Sequence, residues 1–491
     1  MNESKKLANE EVQQVQEQIS NYLEDSGHSV LTQSTKLTAP WINVKFSDVI
    51  SSVTNGVGGK QTKDGIGIPV TRIETIANQT IDFDKVGFIA DYDISKIDKY
   101  LLNQGDILFS HINSPLHLGK TAIFKENKPL YHGINLLRIV TKANVMNPYY
   151  FNYHCKLLRS QSEFSMQAQH AVNQSSLNQK KLGEFEIPLP ALAEQQQIAA
   201  KLDELLAQVD NLKTRLDTIP KILKRFRQSV LAAAVSGKLT EDWRIENALC
   251  NWLETNIGEV AIVSTGKTPI RAETDYWENG TVPWLTSAIT GKEFCYEAEQ
   301  FVTEVAVKKC SLKIFKSGTL LLAMYGEGKT RGQVTELKLS AACNQACAAI
   351  IVDENKALRS FIKLRLLENY EETRKTAAGG NQPNLNLNKV RDIPVLLPPI
   401  EEQTEIVDRV EQLFTYAEQI EQRVKDAQAR VNHLTQAILA KAFSGELTAD
   451  WRAQNPKLIS GDNSAAALLA RIKAERETIA KPKKTGKKAQ A

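Results

Sequence analysis

Apolar side chains at Ile198, Leu202, Leu205, Val209, Leu212, Leu216, Ile219, Leu223, Phe226 and Val230 follow one another in alternating steps of four and three. A second run, Ile406, Val410, Leu413, Ala417, Ile420, Val424, Ala427, Val431, Leu434 and Ile438, keeps the same steps. That alternation holds one stripe on one helix face, as in a coiled coil. It predicts two helices, each roughly 48 Å long at 1.5 Å per residue. A solitary stripe of that length needs a partner, and the simplest partner is the other run. The chain between them is long enough to return, so the pair is expected to close as an antiparallel hairpin. Pro220 interrupts only the first run, which predicts a bend or a break there. The alternative arrangement is two separate amphipathic helices, each docked on its own globular domain.

A globular stretch precedes each helix, residues 41–186 and 246–394. The two have diverged in sequence but keep landmarks. Trp41 and Trp252 open them, Gly56 and Gly266 follow, and Ile68-Pro69-Val70 corresponds to Val282-Pro283-Trp284. Gly105-Asp-Ile-Leu-Phe corresponds to Gly318-Thr-Leu-Leu-Leu, each read as a short buried strand after a glycine turn. The helical stretches occupy 187–245 and 395–452. Residues 1–40 form a polar N-terminal extension with Val12, Val15, Ile19 and Leu23 on one helical face, and 453–491 a C-terminal helix with a basic tail. The fold class is α+β: two similar α/β heads separated by two long helices in an antiparallel coiled coil.

The chain also repeats itself. SGKLTEDWR at Ser236–Arg244 returns as SGELTADWR at Ser444–Arg452, a period of 208 residues. In the same frame Leu192-Ala-Glu-Gln-Gln-Gln-Ile matches Ile400-Glu-Glu-Gln-Thr-Glu-Ile, and Asn173-Gln-Ser-Ser-Leu-Asn matches Asn381-Gln-Pro-Asn-Leu-Asn. The chain is therefore an internal duplication with pseudo-twofold character.

Composition narrows the class. The 491 residues exceed a single core. No apolar run approaches the ~20 residues that cross a bilayer, and the polar N-terminus lacks a secretory pattern. Cys155, Cys250, Cys295, Cys310, Cys343 and Cys347 form no CxxC pair, which reads as free thiols in a reducing cytoplasm. A net charge of +4 names no partner, and the basic tail Lys481–Lys488 reads equally as a solvated end.

Catalytic patterns are poor. Around Gly328, MYGEGKTRG has alanine at 323 where a phosphate-binding loop needs glycine. Asn147-Pro148-Tyr149-Tyr150 resembles the NPPY motif of adenine-N6 methyltransferases without its second proline, and reads better as a helix start. Asp106, Glu126 and Lys128 follow a metal-nuclease order, but the second stretch has Thr319 where Asp106 would recur. His111 and His117 lack further ligands at metal spacing. What remains is recognition. Lys60, Lys63, Lys267 and Arg271 sit beside glycines that let backbone approach a phosphate. His111, Asn113, Lys120, Tyr325, Lys329 and Arg331 join basic groups to hydrogen-bonding side chains. Catalytic and metal residues: none are assigned.

Two diverged heads, each followed by a long helix with PxxxEQxxI at its start and SGxLTxxWR at its end, closely resemble the specificity subunits of Type I restriction–modification systems, in their enteric-bacterial branch. PLPALAEQQQIAAKLDELLAQVD, LPPIEEQTEIVDRVEQLF and NPKLISGDNSAAALLARIKAER carry the resemblance. It implies a cytoplasmic protein that binds double-stranded DNA. Each head would be a target recognition domain reading one part of a split, asymmetric site, with the paired helices setting the unread gap. It further implies two methylation subunits docked near Leu239, Trp243 and Arg244 and near Leu447, Trp451 and Arg452. Two restriction subunits would join them. S-adenosylmethionine for N6-adenine methylation, and ATP and Mg2+ for cleavage, would then belong to those partners, with no cofactor and no catalysis in this chain. The competing expectations are a self-contained metal-dependent nuclease and an adaptor without a DNA role.

Overall fold

The computed structural model describes residues 39–113, 117–171, 174–249, 251–326, 330–375 and 385–480. The stripe proposed for 1–40, Cys250, Lys329, the repeated asparagine turns at 172–173 and 381–384 and the basic tail lie outside the described residues in whole or in most part.

The first head contains β1 (Ile42–Lys45), β2 (Ile50–Asn55), β3 (Ile107–Phe109), β4 (Thr121–Ile123), β5 (Leu137–Thr141), helix α1 (Pro148–Ser160) and β6 (Glu186–Leu189). The long helix α2 (Leu192–Val235) follows. The second head has β7 (Leu253–Asn256), β8 (Ala261–Thr265), β9 (Leu320–Ala323), β10 (Val334–Leu337), β11 (Cys347–Val352), helix α3 (Arg359–Lys375) and β12 (Pro394–Leu397). Then come α4 (Ile400–Ser444) and the C-terminal α5 (Ala465–Ala480). Contacts divide the described residues into two compact units, one within 216–426 and the other within 39–215 together with 427–480. Each long helix contributes to both.

The two heads share one topology. The first has a sheet in the order β2-β5-β3-β4, and the second β8-β11-β9-β10 with Phe294–Cys295 at its edge. A separate antiparallel ribbon, β1 with β6 or β7 with β12, ties each head's entry to its exit. Gly105 and Gly318 both stand at φ +90°, so the turn before β3 and β9 uses the same left-handed glycine. The first head buries Leu108, Ala122, Phe124 and Leu136. The second buries Leu321, Leu337, Cys347 and Ala349.

Of the twenty stripe positions, eighteen are buried and only Leu205 and Leu413, which are equivalent at the 208-residue period, are half-exposed. In each unit the two helices run antiparallel. Arg227 pairs with Glu421 at 3.1 Å in the unit of the second head. In the other unit Lys201 Nζ donates to the Leu447 carbonyl at 3.3 Å. Of the bend or break expected at Pro220, the break does not occur: α2 is continuous through it. Pro220 itself is exposed while its neighbours Leu216, Ile219 and Leu223 are buried, so packing outweighs the lost backbone bond. At 44 and 45 residues the helices are about 66 Å long, beyond the ~48 Å of the stripe alone, because their ends continue onto the heads.

The repeated nonapeptide closes those ends. Each long helix stops at a left-handed glycine, Gly237 at φ +78° or Gly445 at φ +93°. The chain then turns back onto the buried first turn of the other long helix. Glu402 of α4 accepts from Thr240 Oγ1 (2.7 Å), Arg244 Nε (2.9 Å) and Trp252 Nε1 (2.9 Å). In the other unit Glu194 of α2 accepts from Thr448 Oγ1 (2.7 Å), Arg452 Nη1 (2.6 Å) and Trp41 Nε1 (3.0 Å). Arg244 also lies over the Trp252 ring and Arg452 over the Trp41 ring. The adjacent glutamines are just as regular. Gln195 accepts from Asn147 N–H and Gln403 from Leu358 N–H, pinning the start of α1 or α3 to a long helix. Of the residues proposed for docking, Arg244 and Arg452 are therefore turned inward to a carboxylate and Leu239 is buried. Trp243, Leu447 and Trp451 remain half-exposed.

Candidate nucleic-acid interface

Strand register decides where the proposed reading residues fall. In the first head Asn55 pairs with Leu137, Phe109 with Leu137, and Phe109 with Thr121. The end of β2, the end of β3 and the starts of β4 and β5 therefore share one end of the sheet. The loops leaving that end carry Lys60, Lys63, His111, Asn113 and Lys120. The opposite end holds residues 142–147, which Gln195 ties to α2. The second head repeats the plan. Thr265 pairs with Ala348, Ala323 with Cys347 and Leu322 with Val334, so Lys267, Arg271, Tyr325 and Arg331 also leave one end of a sheet. The opposite end holds 353–358, tied to α4 through Gln403.

Within the first head, Lys60 and Lys63 are exposed, and Lys63 stands 4.0 Å from Glu74, a pair that solvent weakens. Lys120 is less free. It is half-buried and donates to the Ala77 carbonyl at 2.7 Å, and burial, helped by Arg159, lowers its pKa. Burial also lowers the His111 pKa, which favours the neutral ring, and its Nδ1 has no hydrogen-bond partner among the described residues. Asn113 ends the short strand Ile112–Asn113.

Two glycines of these loops are packed against backbone. A Cβ on Gly56 would lie 2.1 Å from the His132 carbonyl oxygen, and one on Gly266 1.7 Å from that of Cys343. This packing holds the loop after β2 or β8 against its neighbour.

Three loops of the second head are thereby fastened together. Thr268 Oγ1 donates to Gln345 Oε1 at 2.6 Å, and Met324 N–H to the Ala346 carbonyl at 2.8 Å. Trp284 Nε1 donates to the Lys267 carbonyl and Trp277 Nε1 to the Ile270 carbonyl, both at 3.0 Å. The Arg271 guanidinium lies 4.0 Å from the Trp277 ring centre and 4.7 Å from that of Trp284. Lys267 and Tyr325 are exposed; Arg331 is half-buried with its Nε unpartnered among the described residues. Sequence reasoning missed Trp277, Trp284, Thr268 and Gln345. The tryptophans were signalled by aromatic residues interleaved with Arg271 in RAETDYWENGTVPW.

The nuclease constellation has a structural explanation. The buried Asp106 accepts from Arg138 at 2.7 Å and from Asn103 N–H at 2.8 Å; burial raises its pKa against those bonds. Glu126 instead lines a cavity of about 600 Å³ with Tyr153, Lys156 and Asp203, which Asp106 does not line. Among the described residues no three His, Cys, Asp or Glu side chains gather as metal ligands. Nor is any described helix long and apolar enough to cross a membrane. The five described cysteines carry free thiols.

The family model of the Type I restriction modification DNA specificity domain matches this chain twice, over residues 39–221 and 250–427. The chain belongs to that family. Each match takes in one head and the first part of the long helix after it. Among relatives, the Type I restriction enzyme EcoBI specificity subunit of Escherichia coli is 33% identical over 472 residues, covering 91% of this chain and 95% of its own. The StySPI specificity subunit of Salmonella potsdam is 44% identical over 312 residues, 62% of this chain and 66% of that relative. A chain solved in work on complex assembly and conformational transition of the type I R-M system shares the fold. Its TM-score is 0.63 at 18% identity, over 84% of this chain and 99% of that one.

Proposed function

We propose that this chain is the DNA-reading subunit of a Type I restriction–modification complex. One observation carries the reading: in both heads the basic and hydrogen-bonding loops leave the same end of the same sheet, while the other end is fastened to a long helix. Such a head presents one face to a ligand and is held rigidly by the other. Lysine and arginine there suit phosphates and base edges. Two heads of one fold with different loop residues suit a split, asymmetric site, and the helices, about 66 Å each, suit a spacer for the unread gap. Family membership supports the same reading.

On this account the chain catalyses nothing itself and works in the cytoplasm. Two methylation subunits dock beside the helix ends, close to Trp243 and Trp451, and restriction subunits join them. Those partners use S-adenosylmethionine to methylate adenine at N6 and ATP with Mg2+ to cleave. The duplicated ends, each clamped on a glutamate, offer the same partner two equivalent seats. Footprinting the chain with its methylation partner on duplex DNA tests the proposal. Two protected patches separated by an unprotected gap are expected; a single continuous patch, or none, refutes it.

A further inference from the structure

We propose that Arg271 reads a guanine, making it a specificity-determining residue of the second head; this rests on the DNA-reading function above. Arg271 is exposed, yet its guanidinium packs against two rings. Trp277 lies 4.0 Å and Trp284 4.7 Å from it, and the two indoles meet edge to face at 5.1 Å. The platform is itself anchored, because Trp284 is 1% exposed and both indole N–H groups bond to carbonyls of the loop that carries Arg271. Glu273, Asp275 and Glu278 follow within the same loop, and none of them pairs with the guanidinium. Among the described residues, then, the side chain has two aromatic neighbours and no carboxylate partner. An arginine kept in place only for stability would be expected to take one of those carboxylates.

A planar fork held between two rings, with no hydrogen-bond partner among the described residues, suits an acceptor pair in a plane. Guanine O6 and N7 in the major groove are such a pair, and arginine is the residue that meets them bidentately. Preorganisation lowers the cost of fixing so long a side chain on binding. The first head has no such device: no arginine lies between Gly56 and Ile68, the stretch that corresponds to Gly266–Val282, and no tryptophan lies between Trp41 and Trp243. The effect therefore belongs to one half-site only.

The test compares wild type, Arg271→Lys and Arg271→Ala, each assembled with the methylation subunit, by selection from randomised duplexes and by mapping methylated adenines in cells. The expected result is that both variants lose preference for guanine at one position of one half-site, by about 10- to 100-fold, with the other half-site unchanged. Lysine keeps the charge but not the fork, so it must fail with alanine. The proposal is overturned if both variants keep the wild-type motif. It is equally overturned if Arg271→Ala weakens all sequences alike and Arg271→Lys restores binding, the pattern of a phosphate contact. A wild-type complex that selects no sequence would refute DNA reading itself, a separate outcome.

Discussion

Replacing Glu402 should loosen the fold far more than its single charge suggests. Its side chain is fully buried, and Thr240, Arg244 and Trp252 all donate to it. Alanine would strand those three donors, one of them on an arginine side chain only 24% exposed. Removing one partner of a buried ion pair costs about 3–5 kcal/mol. Glutamine keeps the shape but offers one acceptor oxygen for three donors, so about 2–3 kcal/mol is expected. The control is Glu421→Gln, which breaks a half-exposed pair with Arg227 on the same helix and should cost under about 1 kcal/mol. Amide hydrogen exchange over residues 236–252 measures the local opening energy in all three proteins. A Glu402→Gln protein whose exchange matches Glu421→Gln would refute the view that burial, rather than charge pairing as such, gives the clamp its strength.

Three other perturbations follow from the same structure. Burial holds the His132 and His154 pKa values down at about 4, and each ring bonds a backbone carbonyl. The unfolded chain takes up those protons near pH 6.5, so the stabilisation is complete above that pH. It falls by about 1.4 kcal/mol per pH unit per histidine down to pH 4. Residues 216–426 contain no histidine, so exchange at pH 5 should speed up in the first head and not in the second. Gly266→Ala forces a methyl against the Cys343 carbonyl and should destabilise the second head by at least about 2 kcal/mol, seen as a lower melting transition. Pro220→Ala restores a backbone donor at an exposed helix position and should raise stability by about 1–3 kcal/mol in urea denaturation, without altering the DNA sequence bound.

The helices were legible because ten stripe positions per run leave little room for another period, and eighteen of the twenty are buried. No break occurs at Pro220, because the packing of Leu216, Ile219 and Leu223 carries the helix through it. In the heads, strands of three to six residues carry almost no periodicity of their own. Duplication made them visible, as with the paired turns at Gly105 and Gly318. The reading loops could be named from glycine and charge, but the reason for Gly56 and Gly266 could not, since each touches backbone far away in sequence. Nor could the clamps: Trp41 and Arg452 reach Glu194 from 153 and 258 residues away. Repetition of SGxLTxxWR signals a duplicated surface, but not that its threonine and arginine turn inward.

Hydrogen exchange of the assembled complex, with and without duplex DNA carrying its methylation site, most directly tests whether equivalent sheet ends of the two heads face DNA. Slower exchange is predicted in 56–67 and 266–271 together, with 142–147 and 353–358 unchanged. Protection confined to one head, or found at 142–147 and 353–358 instead, would contradict the account.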